Sequence, residues 1–142
     1  MPSLFTQIIQ GDLPGRFIWE DDQAVGFLTI EPLTPGHTLI VPKVEVDHWL
    51  DLSTNLVAHL TNVSHKVGKS IHDAFGMRRV GMVVAGFEVP HVHVHVFGAN
   101  QMSDFDFKSV NLNASGEMLD ESADKIRKEL AKAGHPEVVE HR

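Results

Sequence analysis

The feature that most constrains this chain is a run of alternating histidine and valine that ends in Phe97. Side chains alternate across a β-strand, so His91, His93 and His95 share one face and the intervening valines share the other. The alternation predicts a strand over residues 91–97 whose valine face contacts the core. Successive histidine Cα atoms would lie about 6.6 Å apart, in a row spread over about 13 Å.

A row of three histidines is more than a solvated strand face requires. Thr, Lys or Glu would serve an exposed face equally well, whereas histidine is the side chain that titrates near neutral pH. The row therefore indicates proton chemistry or metal ligation. A linear row suits an extended ligand such as a phosphate chain, because the middle imidazole can attack phosphorus while its neighbours donate hydrogen bonds to oxygens.

A metal site is the main functional alternative. Zinc holds histidine nitrogens about 2.0–2.1 Å from one centre, which two imidazoles at positions i and i+2 can reach. The outer pair of the row would reach it only if the strand were markedly distorted. The chain has no Cys, so thiolate zinc sites and disulfides are excluded, but a histidine-based metal protein stays open.

Size and charge narrow the class of protein. The chain has 142 residues, which fits one domain, and its formal net charge is -7. Without a dense run of Lys or Arg, binding to a nucleic-acid polymer is disfavoured, whereas a mononucleotide stays allowed. The sequence shows neither a secretory signal pattern nor an apolar run long enough to span a membrane, so we expect a cytoplasmic protein with no membrane partner.

Hydrophobic spacing and turn residues predict three helices and five strands. The helices are a short one over Leu4–Ile9, a long one from Ser53 to Gly76 and a final one from Ser115 to Gly134. The remaining predicted strands are Phe17–Trp19, Ala24–Leu28, Thr38–Val41 and Val80–Ala85. Three histidines of the long helix lie off its apolar stripe and are predicted to be solvated: His59, His65 and His72.

The segment His91-Val92-His93-Val94-His95-Val96 resembles the His-x-His-x-His-x-x signature of the histidine triad (HIT) superfamily, in which x is apolar. The likeness extends from about Leu4 to Gly98. It includes Phe5-x-x-Ile8-Ile9-x-Gly11-Asp12-Leu13-Pro14, Glu20-Asp21-Asp22, Phe27-x-x-Ile30-x-Pro32 and Pro35-Gly36-His37-Thr38-Leu39-Ile40-Val41-Pro42-Lys43.

This resemblance implies an α+β fold with a five-stranded antiparallel sheet, one long helix, a short N-terminal helix and a C-terminal helix. We expect residues 1–142 to form a single HIT-like domain, with a triad-bearing core over about 4–100 and a C-terminal helical extension over about 101–142. The family commonly pairs through a strand and the long helix, so a homodimer is expected.

The resemblance also implies roles for four histidines. His93 would be the nucleophile that forms a covalent nucleotidyl–imidazole intermediate, which water then releases. His91 and His95 would orient His93 and bind phosphate oxygens, and His37 would complete the site from a neighbouring strand. No metal and no cofactor are expected.

Positions matching the family's base and ribose pocket are apolar, and any one of them has ordinary core packing as an equal alternative. They are Leu4, Phe5, Ile8, Leu13, Phe27, Leu28 and Ile30. Thr29 replaces the family's usual ribose-binding Asp. In the shortened loop before the triad, Phe87 replaces a common Gln and Glu88 replaces a small hydroxyl residue.

A histidine at position 95, rather than Gln, resembles the hydrolase branches of the family. We therefore expect a hydrolase that cleaves a purine nucleoside phosphoramidate, an adenylylated group or a dinucleotide polyphosphate. The substitutions at Thr29, Phe87 and Glu88 motivate the alternative of a nucleotide-binding or sensing module with little turnover.

Overall fold

The structure is a computed structural model that describes residues 1–140 and residue 142. Its helices and strands are α1 (Leu4–Gln10), β1 (Phe17–Glu20), β2 (Ala24–Leu28), β3 (Thr38–Pro42), α2 (Thr54–Phe75), β4 (Arg79–Val83), β5 (Val94–Ala99) and α3 (Gly116–Lys132). Neighbouring strands are antiparallel, in the spatial order β1-β2-β3-β5-β4. The expected α+β fold, with its five-stranded antiparallel sheet, is confirmed.

Serine side chains begin all three α-helices of the described chain. The hydroxyls of Ser3, Ser53 and Ser115 each accept a hydrogen bond from a backbone N–H in the first turn of the helix that follows. Gly76 ends α2 with a left-handed backbone at φ 66°, which glycine adopts without steric cost. The limits of α2 predicted from sequence were therefore right.

Helix α2 presents an apolar stripe to the sheet and polar residues elsewhere. His65 and His72 are exposed, as expected from their positions off this stripe. His59 differs from the expectation, because it is half-buried and its Nε2 lies 2.8 Å from Oδ2 of Asp21. Of the helices in residues 1–140, none is long and apolar enough to cross a membrane.

The two faces of the sheet carry separate apolar clusters. Helices α2 and α3 cover one face, where their buried residues meet Ile18, Leu28, Ile40, Val92, Val94 and Val96. On the opposite face α1 packs over a smaller cluster of Phe5, Phe17, Val25, Phe27, Leu39 and Val41. Because neighbouring strand residues point to opposite faces, Leu28 lies with the helices and Phe27 lies with α1.

Strand β5 begins at Val94, three residues later than the histidine–valine alternation predicts. The N–H of Val92 donates to the carbonyl of Val46, 2.8 Å away, so this part of the chain is held by a loop instead of a strand. Alternation nevertheless continues through it, because Val92 is buried in the same core cluster as Val94. The predicted faces are confirmed and the predicted strand boundary was wrong.

Candidate active site

Four histidines meet on the sheet face that α1 covers. His37 lies just before β3, His95 lies on β5, and His91 and His93 lie in the extended segment that leads into β5. His91 is fully buried, His37 and His93 are almost fully buried, and only His95 is partly exposed. Burial of this degree is inconsistent with a solvated strand face, because polar groups removed from water require partners.

A tight turn brings His37 to this site. Gly36 has φ 89°, a left-handed conformation that residues with a Cβ rarely adopt. A Cβ at this position would also lie 2.4 Å from the ring of Phe75, the last residue of α2. The turn therefore depends on glycine in two ways. Both fix the position of His37, which immediately precedes β3.

The backbone carbonyl of His91 determines which ring nitrogen of His93 carries the proton. Its Nδ1 lies 2.8 Å from the carbonyl oxygen of His91, which can only accept, so Nδ1 carries the hydrogen and donates it. Nε2 of a neutral ring then presents a lone pair. Burial lowers the pKa of His93, which favours this neutral form. A neutral ring with a free Nε2 lone pair meets the requirement for a nucleophilic imidazole.

A chain of hydrogen bonds determines which ring nitrogen carries the proton in His37 and in His95. The N–H of Leu33 donates to Nδ1 of His37 at 2.9 Å, so the proton of a neutral His37 lies on Nε2. That Nε2 lies 2.9 Å from Nδ1 of His95 and donates to it. The remaining nitrogen of His95, Nε2, therefore carries a hydrogen that is free to donate to a ligand.

The rings of His37 and His95 are kept in their neutral form. Burial, followed by the neighbouring His95 and His93, lowers the pKa of His37 from 6.5 to about 3. Burial and then His93 lower the pKa of His95 to about 4. The rings of His93 and His95 have centroids 5.0 Å apart, so one phosphoryl group can contact both. The site thus sets a nucleophilic lone pair beside an N–H donor.

His91 uses both ring nitrogens inside the protein. Its Nε2 donates to the carbonyl of Pro42 at 2.8 Å, and its Nδ1 lies 2.7 Å from the hydroxyl of Ser3. Neither nitrogen is left to contact a ligand. The expected role of His91 in orienting His93 is consistent with its carbonyl contact, whereas a phosphate contact from its ring is not.

Among the residues predicted to form the pocket, three pack close to the histidines. The ring of Phe5 lies edge-on to His93, with centroids 4.8 Å apart, and 5.6 Å from the ring of Phe27. Ile8 packs against the same cluster. Together they form an aromatic and aliphatic wall beside the candidate nucleophile.

The other predicted pocket residues are placed differently. Leu28 lies in the core on the opposite face of the sheet, so it is removed from the candidate wall. Leu13 is partly buried, and Leu4 and Ile30 are exposed by 47% and 67%. The Thr29 backbone N–H donates to the carbonyl of His37, and its hydroxyl accepts from the N–H of Glu31 within its own turn.

The loop before the triad is open to solvent. Phe87 is 95% exposed, and Glu88 is exposed next to it. Burial lowers the pKa of His93, and the charge of Glu88 acts on that pKa in the opposite direction. The carboxylate of Glu88 is therefore electrostatically coupled to the candidate nucleophile.

Phe107 and Ser3 are among the residues whose contacts with the histidines sequence reasoning missed. The Phe107 ring lies 4.8 Å from that of His95 and 6.3 Å from that of His37, between centroids. It lies in a 3₁₀ turn, Phe107–Ser109, in a polar stretch without strand or helix periodicity. Ser3 was detectable as the residue preceding a short apolar helix, which is an N-cap position.

The donor set does not favour the metal alternative. In residues 1–140 and 142, no group of three or more His, Asp or Glu side chains is arranged to hold a metal ion. Hydrogen bonds within the protein engage both ring nitrogens of His37 and both of His91. Convergence of the row on one ion would require these bonds to break.

Comparison with known proteins identifies a family for this chain. The HIT domain model matches residues 10–102. An uncharacterized HIT-like protein of Borreliella burgdorferi is 31% identical over 131 residues, which cover 87% of this chain and 94% of the relative.

Two solved structures share the fold. A Hit-like protein from Bartonella henselae, described as involved in cell-cycle regulation and carrying an unknown ligand, has a TM-score of 0.78 at 26% identity, covering 89% of this chain and 95% of that one. A HIT family hydrolase from Legionella pneumophila has a TM-score of 0.63 at 28% identity, covering 71% and 96%. The chain belongs to the HIT domain family.

Proposed function

We propose that this protein is a nucleotidyl hydrolase that cleaves a nucleotide phosphorus-linked bond through a covalent intermediate on His93. Membership in the HIT family supports a nucleotide-binding or hydrolase module. The observation that carries the finer proposal is the hydrogen bond from His93 Nδ1 to the carbonyl of His91. This bond turns an unprotonated Nε2 outward and stabilises the positive charge that the ring acquires when Nε2 attacks.

The reaction proceeds in two displacements. The lone pair of His93 Nε2 forms a bond to phosphorus while the bond from phosphorus to the leaving group breaks. The leaving group departs with its electron pair and takes a proton from Nε2 of doubly protonated His95, which leaves that ring neutral. An anionic phosphate beside His95 favours the protonated ring, so bound substrate itself raises the supply of that proton. Water then attacks phosphorus and gives a proton to Nε2 of His95 while the phosphorus–nitrogen bond breaks, which releases the nucleoside monophosphate and restores both rings.

The wall beside His93 supports a purine nucleotide or nucleotide conjugate as the ligand. Phe5 packs edge-on to His93 and Phe27 packs against Phe5, so an apolar base beside His93 would meet an apolar surface. A substrate panel tests this proposal: nucleoside phosphoramidates, dinucleoside polyphosphates and adenylylated peptides, with kcat/KM measured for each. Turnover of one class that depends on His93 supports the proposal.

One observation favours the alternative of a nucleotide-binding or sensing module with little turnover. The hydroxyl of Thr29 is engaged within its own turn, and the family's usual ribose-binding carboxylate is absent at that position. If purine nucleotides bind tightly and no substrate of the panel turns over, this alternative replaces the hydrolase. Calorimetry with nucleoside monophosphates, run beside the panel, separates the two.

Replacing Glu88 by serine is expected to lower KM for nucleoside monophosphate esters. An ionised carboxylate near the phosphate repels it, and serine offers a hydrogen-bond donor instead. Because Glu88 is exposed and its charge is screened by solvent, we expect KM to fall by about fivefold. This corresponds to the upper range for exposed charge pairs. Glu31→Ser, at another exposed acidic residue, serves as the control. A KM that changes by less than twofold would show that Glu88 turns away from the ligand.

The surface beside β4 supports the homodimer that the family resemblance implies. β4 is an edge strand of the sheet, and edge strands with unpaired backbone groups favour pairing with another chain. A groove of about 320 Å³ beside it is lined almost entirely by apolar side chains: Trp49, Leu52, Val57, Leu60, Thr61, Met82, Val84, Val92 and Val94. We propose that a second copy of this chain covers this groove.

Met82→Arg is expected to convert such a dimer into a monomer. Met82 is 55% exposed on β4, so a charge there is tolerated by the monomer and is costly in a buried interface. Light scattering coupled to gel filtration measures the mass of each variant. Met102→Arg is the matched control, because Met102 is 81% exposed and lies outside the groove. A wild-type protein that elutes with the mass of one chain would contradict the dimer.

A further inference from the structure

The N-terminus of α1 is attached to the rest of the protein by a compact hydrogen-bond network. The backbone N–H of Ser3 donates to Oε1 of Glu45 at 2.6 Å, and the hydroxyl of Thr6 donates to the same oxygen at 2.7 Å. The Ser3 hydroxyl lies 2.7 Å from Nδ1 of His91. Ser3 is only 7% exposed, although it is the third residue of the chain. The network therefore joins α1 to a buried member of the triad.

The contacts of His91 with Pro42 and Ser3, the shortest that its ring makes, have determined directions. The carbonyl of Pro42 can only accept, so Nε2 of His91 carries the proton that it donates there. Nδ1 of a neutral His91 is then an acceptor, and the Ser3 hydroxyl is its donor. The same hydroxyl oxygen accepts the N–H of Thr6 at 3.0 Å as the cap of α1. Ser3 thus caps the start of the helix and donates to the ring nitrogen that the Pro42 contact leaves unprotonated in His91.

Glu45 acts as a permanent acceptor in this network. The hydrogen bond from the Ser3 backbone, followed by that from the Thr6 hydroxyl, lowers the pKa of Glu45 to about 2. The carboxylate is therefore ionised throughout the pH range in which enzymes work. An ionised acceptor forms shorter and stronger hydrogen bonds than a neutral one, which agrees with the two short distances.

Two further contacts connect this network to the candidate nucleophile. The carbonyl of His91 accepts the Nδ1 proton of His93, so the position of residue 91 determines how that ring is held. Phe5, two residues after Ser3, lies edge-on to His93 with ring centroids 4.8 Å apart. Displacement of the start of α1 would move both the carbonyl that orients His93 and the ring that covers it.

We propose that Ser3 and Glu45 are positioning residues, which act through His91 and Phe5 to hold His93 in its reactive orientation. They do not touch the substrate, and α1 is a fixed part of the site because of them. This inference rests on the proposed function for its kinetic consequences. Its structural consequence, the hydrogen bond from Ser3 to Nδ1 of His91, holds independently of any activity.

The kinetic test compares two serine caps. Ser3→Ala removes a helix cap and the bond to His91, whereas Ser53→Ala removes only the cap that accepts from Leu56 at the start of α2. We expect Ser3→Ala to lose more thermal stability than Ser53→Ala, because it also leaves a buried nitrogen of His91 without a donor. Only Ser3→Ala is expected to lower kcat, by about tenfold, with KM changed by less than threefold, because misorientation of a reactive group slows chemistry more than binding. Ser3→Thr, which restores the hydroxyl, should recover most of the kcat.

The second readout needs no substrate. Long-range ¹H–¹⁵N spectra of the histidine rings should show wild-type His91 protonated at Nε2 and His93 at Nδ1. In Ser3→Ala the ¹⁵N resonance of His91 Nδ1 should move to the position of a ring nitrogen that accepts no hydrogen bond, and the His93 ring resonances should shift with it. Glu45→Ala should give an intermediate change. If kcat and these ring resonances in Ser3→Ala match those in Ser53→Ala, the two residues only stabilise α1 and the inference is wrong. If the resonances change and no variant has activity to lose, the inference holds and the proposed hydrolase fails.

Discussion

Replacing His93 by alanine is expected to lower kcat by at least about 10⁴-fold, the scale seen when a covalent nucleophile is removed. The variant loses the Nε2 lone pair that attacks phosphorus, and no other ring in the site offers one in the same place. His91 engages both nitrogens, and His95 turns a protonated Nε2 to the ligand. Single-turnover kinetics on the best substrate of the panel measures this loss directly.

The fold and part of the nucleotide affinity should survive in this variant, since Phe5 and Phe27 still form the wall. Circular dichroism and calorimetry with nucleoside monophosphate are the controls. Added imidazole should restore part of the activity of His93→Gly, because a free ring can occupy the space and attack in its place. Activity of His93→Ala within threefold of wild type would disprove the covalent mechanism.

Stability is expected to fall steeply as the pH drops from 6.5 to 4.5. The folded pKa values of His37 and His95, about 3 and about 4, lie below the ordinary value of 6.5. Below pH 6.5 these two histidines therefore bind protons in the unfolded chain and stay neutral in the folded chain. The stabilisation present above that pH is lost as a result. Each such histidine contributes a slope on the order of 1.4 kcal/mol per pH unit. Urea unfolding at several pH values measures the slope.

His37→Gln provides the matched comparison for this prediction. Glutamine keeps an acceptor for the N–H of Leu33 and a donor for His95, but it does not titrate. The variant should have a slope shallower by about 1.4 kcal/mol per pH unit, whatever its stability at pH 7. Equal slopes in the two proteins would show that His37 is not held neutral in the folded state.

The lowered pKa of His93 revises the expected pH dependence of catalysis. Sequence reasoning predicts that kcat/KM rises and falls around neutrality, which suits histidines with ordinary pKa values. Burial was not visible in the sequence, and it lowers the pKa of His93 below the ordinary histidine value. The loss of kcat/KM on the acidic side should therefore occur below pH 6.5.

The fold was largely predictable because local signals determine it. Ser53 and Gly76 mark the ends of α2, and the spacing of apolar residues between them gives the buried stripe. The boundary of β5 was less predictable, since a long-range bond from Val92 to Val46 holds the chain there. Division of the chain into a core and a C-terminal extension, and its cytoplasmic location, stay predictions.

The candidate site was predictable in its histidines and less so in its surroundings. The alternation of side chains along β2 already predicts that Leu28 and Phe27 lie on opposite faces of the sheet. The family resemblance had assigned both residues to the pocket. Phe107 and Ser3 reach the histidines from segments distant in sequence, and nothing in their local pattern indicates the contact. Which nitrogen of each ring carries the proton follows only from backbone groups of Leu33, Pro42 and His91.

Direct detection of the covalent intermediate tests the central claim most sharply. The protein is mixed with its best substrate, quenched in acid-free denaturant within milliseconds, and analysed by intact and peptide mass spectrometry. We predict a transient gain of one nucleotidyl group, located on the peptide that contains His93 and absent from His93→Ala. Full turnover by the wild-type protein with no adduct at any time, together with inversion of configuration at phosphorus, would contradict the account.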